Sequence, residues 1–149
     1  MNVLIATDGS ETAIAAARSG LSLFPADAHV TLVTVVPPEE DPLAMAGGFE
    51  SPLMTEEEAH DIRERDLASG RDAVERTGAA VGSRAERDVI TGTGVADTIC
   101  RYAAEHDAYV VVMGESDKGW FRRALEGSVM QQVLRHSPCP VLIIPHHHD

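Results

Sequence analysis

The sequence predicts an α/β protein with a single five-stranded parallel sheet and helices on both of its faces. Three observations carry this. Short apolar or β-branched runs alternate with longer amphipathic stretches in the order β-α-β-α-β-α-β-α-β. That alternation calls for right-handed crossovers between parallel strands. The run from Tyr109 to Met113 is apolar throughout, as a central strand covered on both faces must be. The chain has 149 residues, which fits one ordinary domain and is too short for two full-sized ones.

Each element has a local cause. Asn2 to Thr7 is a short apolar run ending in Asp8-Gly9-Ser10, a turn sequence. Glu11 to Phe24 follows, with Ile14, Ala17, Leu21 and Phe24 at helical spacing and Ser10 as its N-cap. His29 to Val36 is β-branched and strand-like. Pro37, Pro38, Pro42, Gly47, Gly48 and Pro52 exclude a regular element from residues 37–54. Thr55-Glu56-Glu57-Glu58 has the form of a capping box. It opens a charged helix to about Thr77, with Ala59, Ile62, Leu67, Ala73 and Val74 available for burial and Gly78 as its stop. Arg84 to Ile90 is the third strand, and Thr91-Gly92-Thr93-Gly94 turns into a helix from Val95 to about His106. Tyr109 to Met113 is the fourth strand, and Gly114 to Glu126 is a loop. Ser128-Val129-Met130-Gln131 is a second capping box and starts a helix to about His136. Ser137-Pro138-Cys139-Pro140 ends it, and Val141 to Ile144 is the fifth strand.

Composition narrows the function. Apolar residues make up 44% of the chain and aromatics only 4%, so the core must rest on Val, Ile, Leu, Ala and Met. The formal charge is −12, a field that repels a phosphate backbone, so neither general nucleic-acid binding nor anionic-membrane binding is expected. No apolar run approaches the ~18 residues of a membrane span. Met1 to Asp8 has no basic segment ahead of its apolar one, so a cytoplasmic protein is expected. Cys100 and Cys139 lie outside any CxxC pattern and read as buried, inert thiols in a reduced compartment.

In parallel sheets of this kind ligands sit beyond the carboxyl ends of the strands, where the strand order reverses. The segments of interest are therefore Asp8 to Ser10, Val35 and after, Thr91 to Gly94, and Gly114 to Ser128. The last is the most informative. It follows the central strand and ends in Gly127-Ser128 at a helix N-terminus, where free N–H groups and the helix dipole favour an anion. Lys118, Arg122 and Arg123 within it would neutralise phosphate. The simpler alternative is a capped helix beside solvated cations.

Several motifs together carry a resemblance. Met113-Gly114, the nine residues from Lys118 to Glu126, Gly127-Ser128-Val129, and Val133 to Pro145 resemble the closing half of the universal stress protein family. Val3 to Ser10 is similar to that family's first strand and turn, and Leu32 to Val36 to its second strand. The resemblance covers essentially the whole chain, as a domain over 1–145 with a flexible tail at 146–149. It implies a Rossmann-like sheet of the adenine nucleotide alpha hydrolase type, in the order 3-2-1-4-5. It also implies frequent dimers and, in many members, bound ATP; Mg²⁺ would enter by bridging the Asp117 carboxylate to the phosphates.

Nucleotide-binding members share a Gly-x-x-Gly-x9-Gly-Ser/Thr signature. Gly114, Gly127 and Ser128 match it with the spacing intact, while Asp117 replaces the second glycine and brings a negative charge toward the phosphates. By the same resemblance Asp8 would hold ribose hydroxyls, and Ala6 and Val35 would line an adenine pocket. Ser128 and Val129 would contact phosphate, and Thr7, Met113 and Lys118 would complete the site. Without the resemblance, Asp8 reads as a turn former, and Ala6 and Val35 as plain core.

Other chemistry is weakly supported. Gly92-Thr93-Gly94 lacks the third glycine of a dinucleotide fingerprint and follows the wrong strand. No Gly-Lys-Ser/Thr P-loop exists. Ser10 and Ser128 have no His and acid at motif spacing and read as caps. A receiver domain would need an aspartate ending the third strand and a lysine after the fifth, where Ile90 and Pro145-His146 stand. The expected protein is a nucleotide-binding sensor or regulator rather than a dedicated enzyme, with slow ATP hydrolysis compatible with the pocket. A dimeric interaction module without nucleotide is the alternative. Val141 to Ile144, last in the chain and apolar, is expected to pair with a second copy. Residues 37–54 are expected to overhang the pocket as a flap.

Overall fold

The computed structural model describes residues 1–41, 54–82, 84–115 and 128–146. Strands β1 (Asn2–Ala6), β2 (His29–Val36), β3 (Glu86–Thr91), β4 (Val110–Gly114) and β5 (Val141–Ile144) alternate with helices α1 (Glu11–Leu21), α2 (Glu56–Val81), α3 (Val95–Glu105) and α4 (Val129–His136). The strands form one sheet in the order β3-β2-β1-β4-β5. Every pairing is parallel. No helix among the described residues is long and apolar enough to cross a membrane.

Side chains alternate across the pleat and build two cores. Leu4, Ala6, Val33, Val35, Val111 and Met113 face one way and pack with Ala96, Ile99, Cys100 and Ala103 of α3 and Val129 and Val133 of α4. Val3, Ile5, Val30, Leu32, Val110 and Val112 face the other way, under Ala17 of α1 and Val74 of α2. Both faces of the sheet are therefore covered, and continuous Val/Ile/Leu runs are what such strands require.

The caps at Ser10 and Thr55 act as expected, whereas the second capping box forms only its Ser128 half. Ser10 accepts from the Ala13 amide, and Thr55 and Glu58 make the reciprocal capping box at α2. Ser128 accepts from the Gln131 amide at α4.

Three other expectations change. Helix α1 ends at Leu21 rather than Phe24, because the chain turns at Ser22, whose amide bonds back to the Gly20 carbonyl. Gly78 does not stop α2. The helix continues to Val81, and Gly82 ends it with φ of 111°. Gly78 instead provides room for the Arg87 guanidinium of β3 to lie across the helix.

The third change concerns which residues face inward. Ala17 of α1 is buried as expected and Leu21 and Phe24 pack against the core, but Ala13, Ala16 and Gly20 are buried beside Ala17 and Ile14 is only half-buried. On α2 Ala59, Ala73 and Val74 are buried as expected, joined by Gly70, Thr77 and Gly78, while Ile62 is 36% exposed. Small residues let the helices approach the sheet closely. A Cβ on Gly20 would stand 2.6 Å from Cγ1 of Val112, and one on Gly70 2.8 Å from Cγ1 of both Val36 and Val89.

Candidate functional site

The strand register cuts a notch at the carboxyl end of the sheet. β1 makes its last pair with β2 at Ala6↔Val33, but β2 runs on through Thr34, Val35 and Val36, paired with β3 alone. On the other side β4 passes its last β1 pair, Ile5↔Val112, and continues through Met113 and Gly114 against β5. β1 thus ends short of both neighbours, β2 because it is longer and β4 because its register is shifted. This is also where the strand order reverses, since β1 leads to β2 on one side and lies beside β4 on the other.

The floor of the notch is the turn after β1. Asp8 Oδ1 accepts the Ser10 amide at 2.9 Å, an Asx turn that leaves Oδ2 available. Gly9 has φ of 76°, which a side chain would strain, and a Cβ there would stand 2.7 Å from Ala73 Cα. The turn therefore rests directly on α2.

Thr7 is fully buried, and its hydroxyl is committed inward. Thr7 Oγ1 lies 2.9 Å from Thr77 Oγ1 and accepts the Gly9 amide at 3.1 Å. Only its backbone faces the notch-forming strands, with the Thr7 amide donating to the Val33 carbonyl.

Ala6, Val35, Met113 and Val129 come together in one apolar cluster. Ala6 and Val35 are 3% and 7% exposed, so they form a wall continuous with the core. Gly114 ends β4 where a Cβ would stand 2.9 Å from Cβ of Ala16, so α1 already accounts for a glycine there. Ser128 and Val129 begin α4, and the first amides of that helix have no intrahelical acceptor. Asp117, Lys118 and Gly127, with Arg122 and Arg123, lie outside the described residues, as do residues 42–53 of the expected flap.

Two contributors were not legible in the sequence. Thr77 is one. The other is Arg63 of α2, whose Nη1 donates to the Pro37 carbonyl at 2.7 Å and whose Nη2 donates to Thr91 Oγ1 at 3.0 Å. One guanidinium therefore ties the exit of β2 to the end of β3. A lone arginine in a charged helix carries no local signal of such a role.

Among the described residues the arrangement offers one carboxylate oxygen, an apolar wall and a helix N-terminus. The hydroxyls of Ser10 and Ser128 serve as caps, and among the described residues no group of three His, Cys, Asp or Glu side chains is placed to hold a metal ion. Cys100 is buried and Cys139 half-buried. Burial pushes the Cys100 thiol up, and Asp97 and Cys139 add to the shift, which disfavours the reactive thiolate.

The family model for the universal stress protein family matches residues 1–145. A universal stress protein of Methanocaldococcus jannaschii is 27% identical over 147 residues, covering 95% of this chain and 80% of the relative. The structure of universal stress protein UspA from Lactobacillus plantarum superposes with a TM-score of 0.69 at 22% identity, covering 97% of each chain. A crystal structure of a universal stress protein in complex with cAMP superposes with a TM-score of 0.61 at 24% identity, covering 97% of this chain and 96% of that one.

Proposed function

The chain belongs to the universal stress protein family, and from that premise we propose that it binds an adenine nucleotide, ATP foremost, as a regulator or sensor rather than as an enzyme. The observation that carries this reading is the recessed β1, with Asp8 on the floor of the notch and an apolar wall beside it. Asp8 Oδ2 would accept from ribose hydroxyls. Val35, Ala6 and Met113 would face the base, which is flat and apolar on its faces. Gly114 and the Thr7 backbone would border the sugar. The first amides of α4, at Ser128 and Val129, would donate to phosphate, aided by the helix dipole. Gly127 and Lys118 would add phosphate contacts, and Asp117 would meet the phosphates through Mg²⁺. The cAMP complex of a relative supports an adenine nucleotide as the ligand class.

Mass spectrometry of nucleotide released from purified, denatured protein is the direct test, followed by calorimetric titration with ATP, ADP and AMP. Co-purified adenine nucleotide, or micromolar binding weakened at least tenfold but still measurable in Asp8→Ala, is the expected result. No binding of any adenine nucleotide sinks the reading and leaves the interaction module.

We also propose a homodimer through β5. The two sheet edges differ in chemistry. β3 reads Glu-Arg-Asp-Val-Ile-Thr and carries charges that discourage strand addition. β5 reads Val-Leu-Ile-Ile, and all four residues are half-exposed. An uncovered apolar edge is an aggregation hazard that self-pairing removes. Light scattering should give twice the chain mass, and Ile143→Asp should halve it. A monomeric wild type at micromolar concentration would contradict the proposal.

A further inference from the structure

The turn that carries Asp8 is held from below by a chain of three buried hydrogen bonds. Thr77 Oγ1 lies 2.8 Å from the Ala73 carbonyl, which can only accept, so the single Thr77 hydroxyl hydrogen is used there. Thr77 must then accept from Thr7 across their 2.9 Å contact. Thr7, having given its hydrogen, accepts the Gly9 amide at 3.1 Å. Every proton direction follows from this one fixed end. Both threonines are 0% exposed, so no water substitutes for a lost partner. Ala73, whose carbonyl ends the chain, is also the residue against which Gly9 packs.

We infer that Thr77 is a positioning residue for nucleotide binding, acting through the Thr7–Gly9 turn to set the aim of the Asp8 carboxylate. The inference rests on the nucleotide reading of the crevice. Thr77 is fully buried and lies 70 positions from Thr7 in sequence. Its side chain does what a valine of the same shape cannot. Thr77→Val keeps the packing but leaves the Thr7 hydroxyl hydrogen without its acceptor in a buried site. Thr7 must then rotate to find another, and rotation releases the Gly9 amide. Asp8 sits between these two residues, with its Oδ1 already fixed by Ser10, so its free oxygen moves with the turn.

The test has two readouts. Amide hydrogen exchange is measured by NMR on the nucleotide-free protein. The Gly9 amide should be protected in the wild type, should exchange about tenfold faster in Thr77→Val, and should return to the wild-type rate in Thr77→Ser. Calorimetric titration with ATP should show about tenfold weaker binding by Thr77→Val, wild-type binding by Thr77→Ser, and no further loss when Thr77→Val is added to Asp8→Asn. That last outcome separates positioning from general loosening, which would act equally in either background. An unprotected Gly9 amide in the wild type overturns the inference without any variant. So does a Thr77→Val loss that persists in full on Asp8→Asn. If the wild type binds no ATP, the nucleotide reading falls and, with it, the role of Thr77 in binding. A Gly9 exchange rate that still responds to Thr77→Val would then show that the nucleotide assignment failed and the hydrogen-bond chain did not.

Discussion

Arg63 and Pro37 are joined by a hydrogen bond of 2.7 Å from the guanidinium Nη1 to the main-chain carbonyl, at the point where the chain leaves β2. The same side chain reaches Thr91 at the end of β3. The segment expected to overhang the notch therefore starts from an anchored position. Arg63→Ala should raise amide exchange over residues 39–41 and lower stability by about 1 kcal/mol, the scale of a partly exposed charged bond. Arg63→Lys should not restore the anchor, because one ammonium on a flexible stem cannot reproduce the planar fork. Exchange of residues 39–41 at the wild-type rate in Arg63→Ala would contradict this.

Gly9 combines a positive φ with a close backbone approach to α2. Gly9→Ala should cost about 2–4 kcal/mol, from left-handed strain and overpacking together. Gly94 has ordinary φ of −113°, and a Cβ there would meet nothing nearer than 3.5 Å. Gly94→Ala should therefore cost no more than about 1 kcal/mol, the difference between glycine and alanine as an N-cap. Urea midpoints of the two variants give the comparison, and equal midpoints would refute the contact argument.

Tyr102 donates its phenolic hydrogen to Asp88 Oδ2 at 2.9 Å and stacks on the His106 ring at a centroid distance of 3.8 Å. Burial, and then the bond to Asp88, hold its ionisation well above the ordinary tyrosine value. The folded state therefore binds this proton more tightly than the unfolded chain. The resulting stability is complete below pH ~10 and is lost as pH rises toward the folded value. Tyr102→Phe should remove that part of the alkaline decline. Urea midpoints measured at about pH 8 and about pH 11 should differ less in the variant than in the wild type. An unchanged difference would place the decline elsewhere.

In the proposed site Asp117 takes the second-glycine position of the Gly-x-x-Gly-x9-Gly-Ser/Thr signature. Two negative groups ~4 Å apart repel by about 1 kcal/mol in water and several times that near a protein surface. ATP binding should accordingly be weak without Mg²⁺ and tighter with it. Asp117→Gly should tighten ATP more than AMP, because only ATP carries charge that far along the loop. Titrations of both proteins with and without Mg²⁺ decide the matter. Tight wild-type ATP binding left unchanged by Asp117→Gly would mean that the carboxylate points away.

The sequence by itself determined the elements and their order, because those causes are local. Apolar runs and helical spacing, the Thr55–Glu58 capping box and the caps at Ser10 and Ser128 all act within a few residues. The family motif, also local, placed Asp8, Gly114 and Ser128 at the carboxyl end of the sheet. The tertiary structure decided which helix faces turn inward. Hydrophobicity favoured Ile14 and Ile62, but close approach of the helices to the sheet selected Ala16, Gly20, Gly70 and Gly78 instead. It also decided the depth of the notch, which depends on how far β2 and β4 outrun β1 and hence on register between strands distant in sequence. Thr77 and Arg63 belong to the same class. Their partners are 70 and 28 residues away, and no local pattern distinguishes a threonine or an arginine that will meet such a partner from one that will face water.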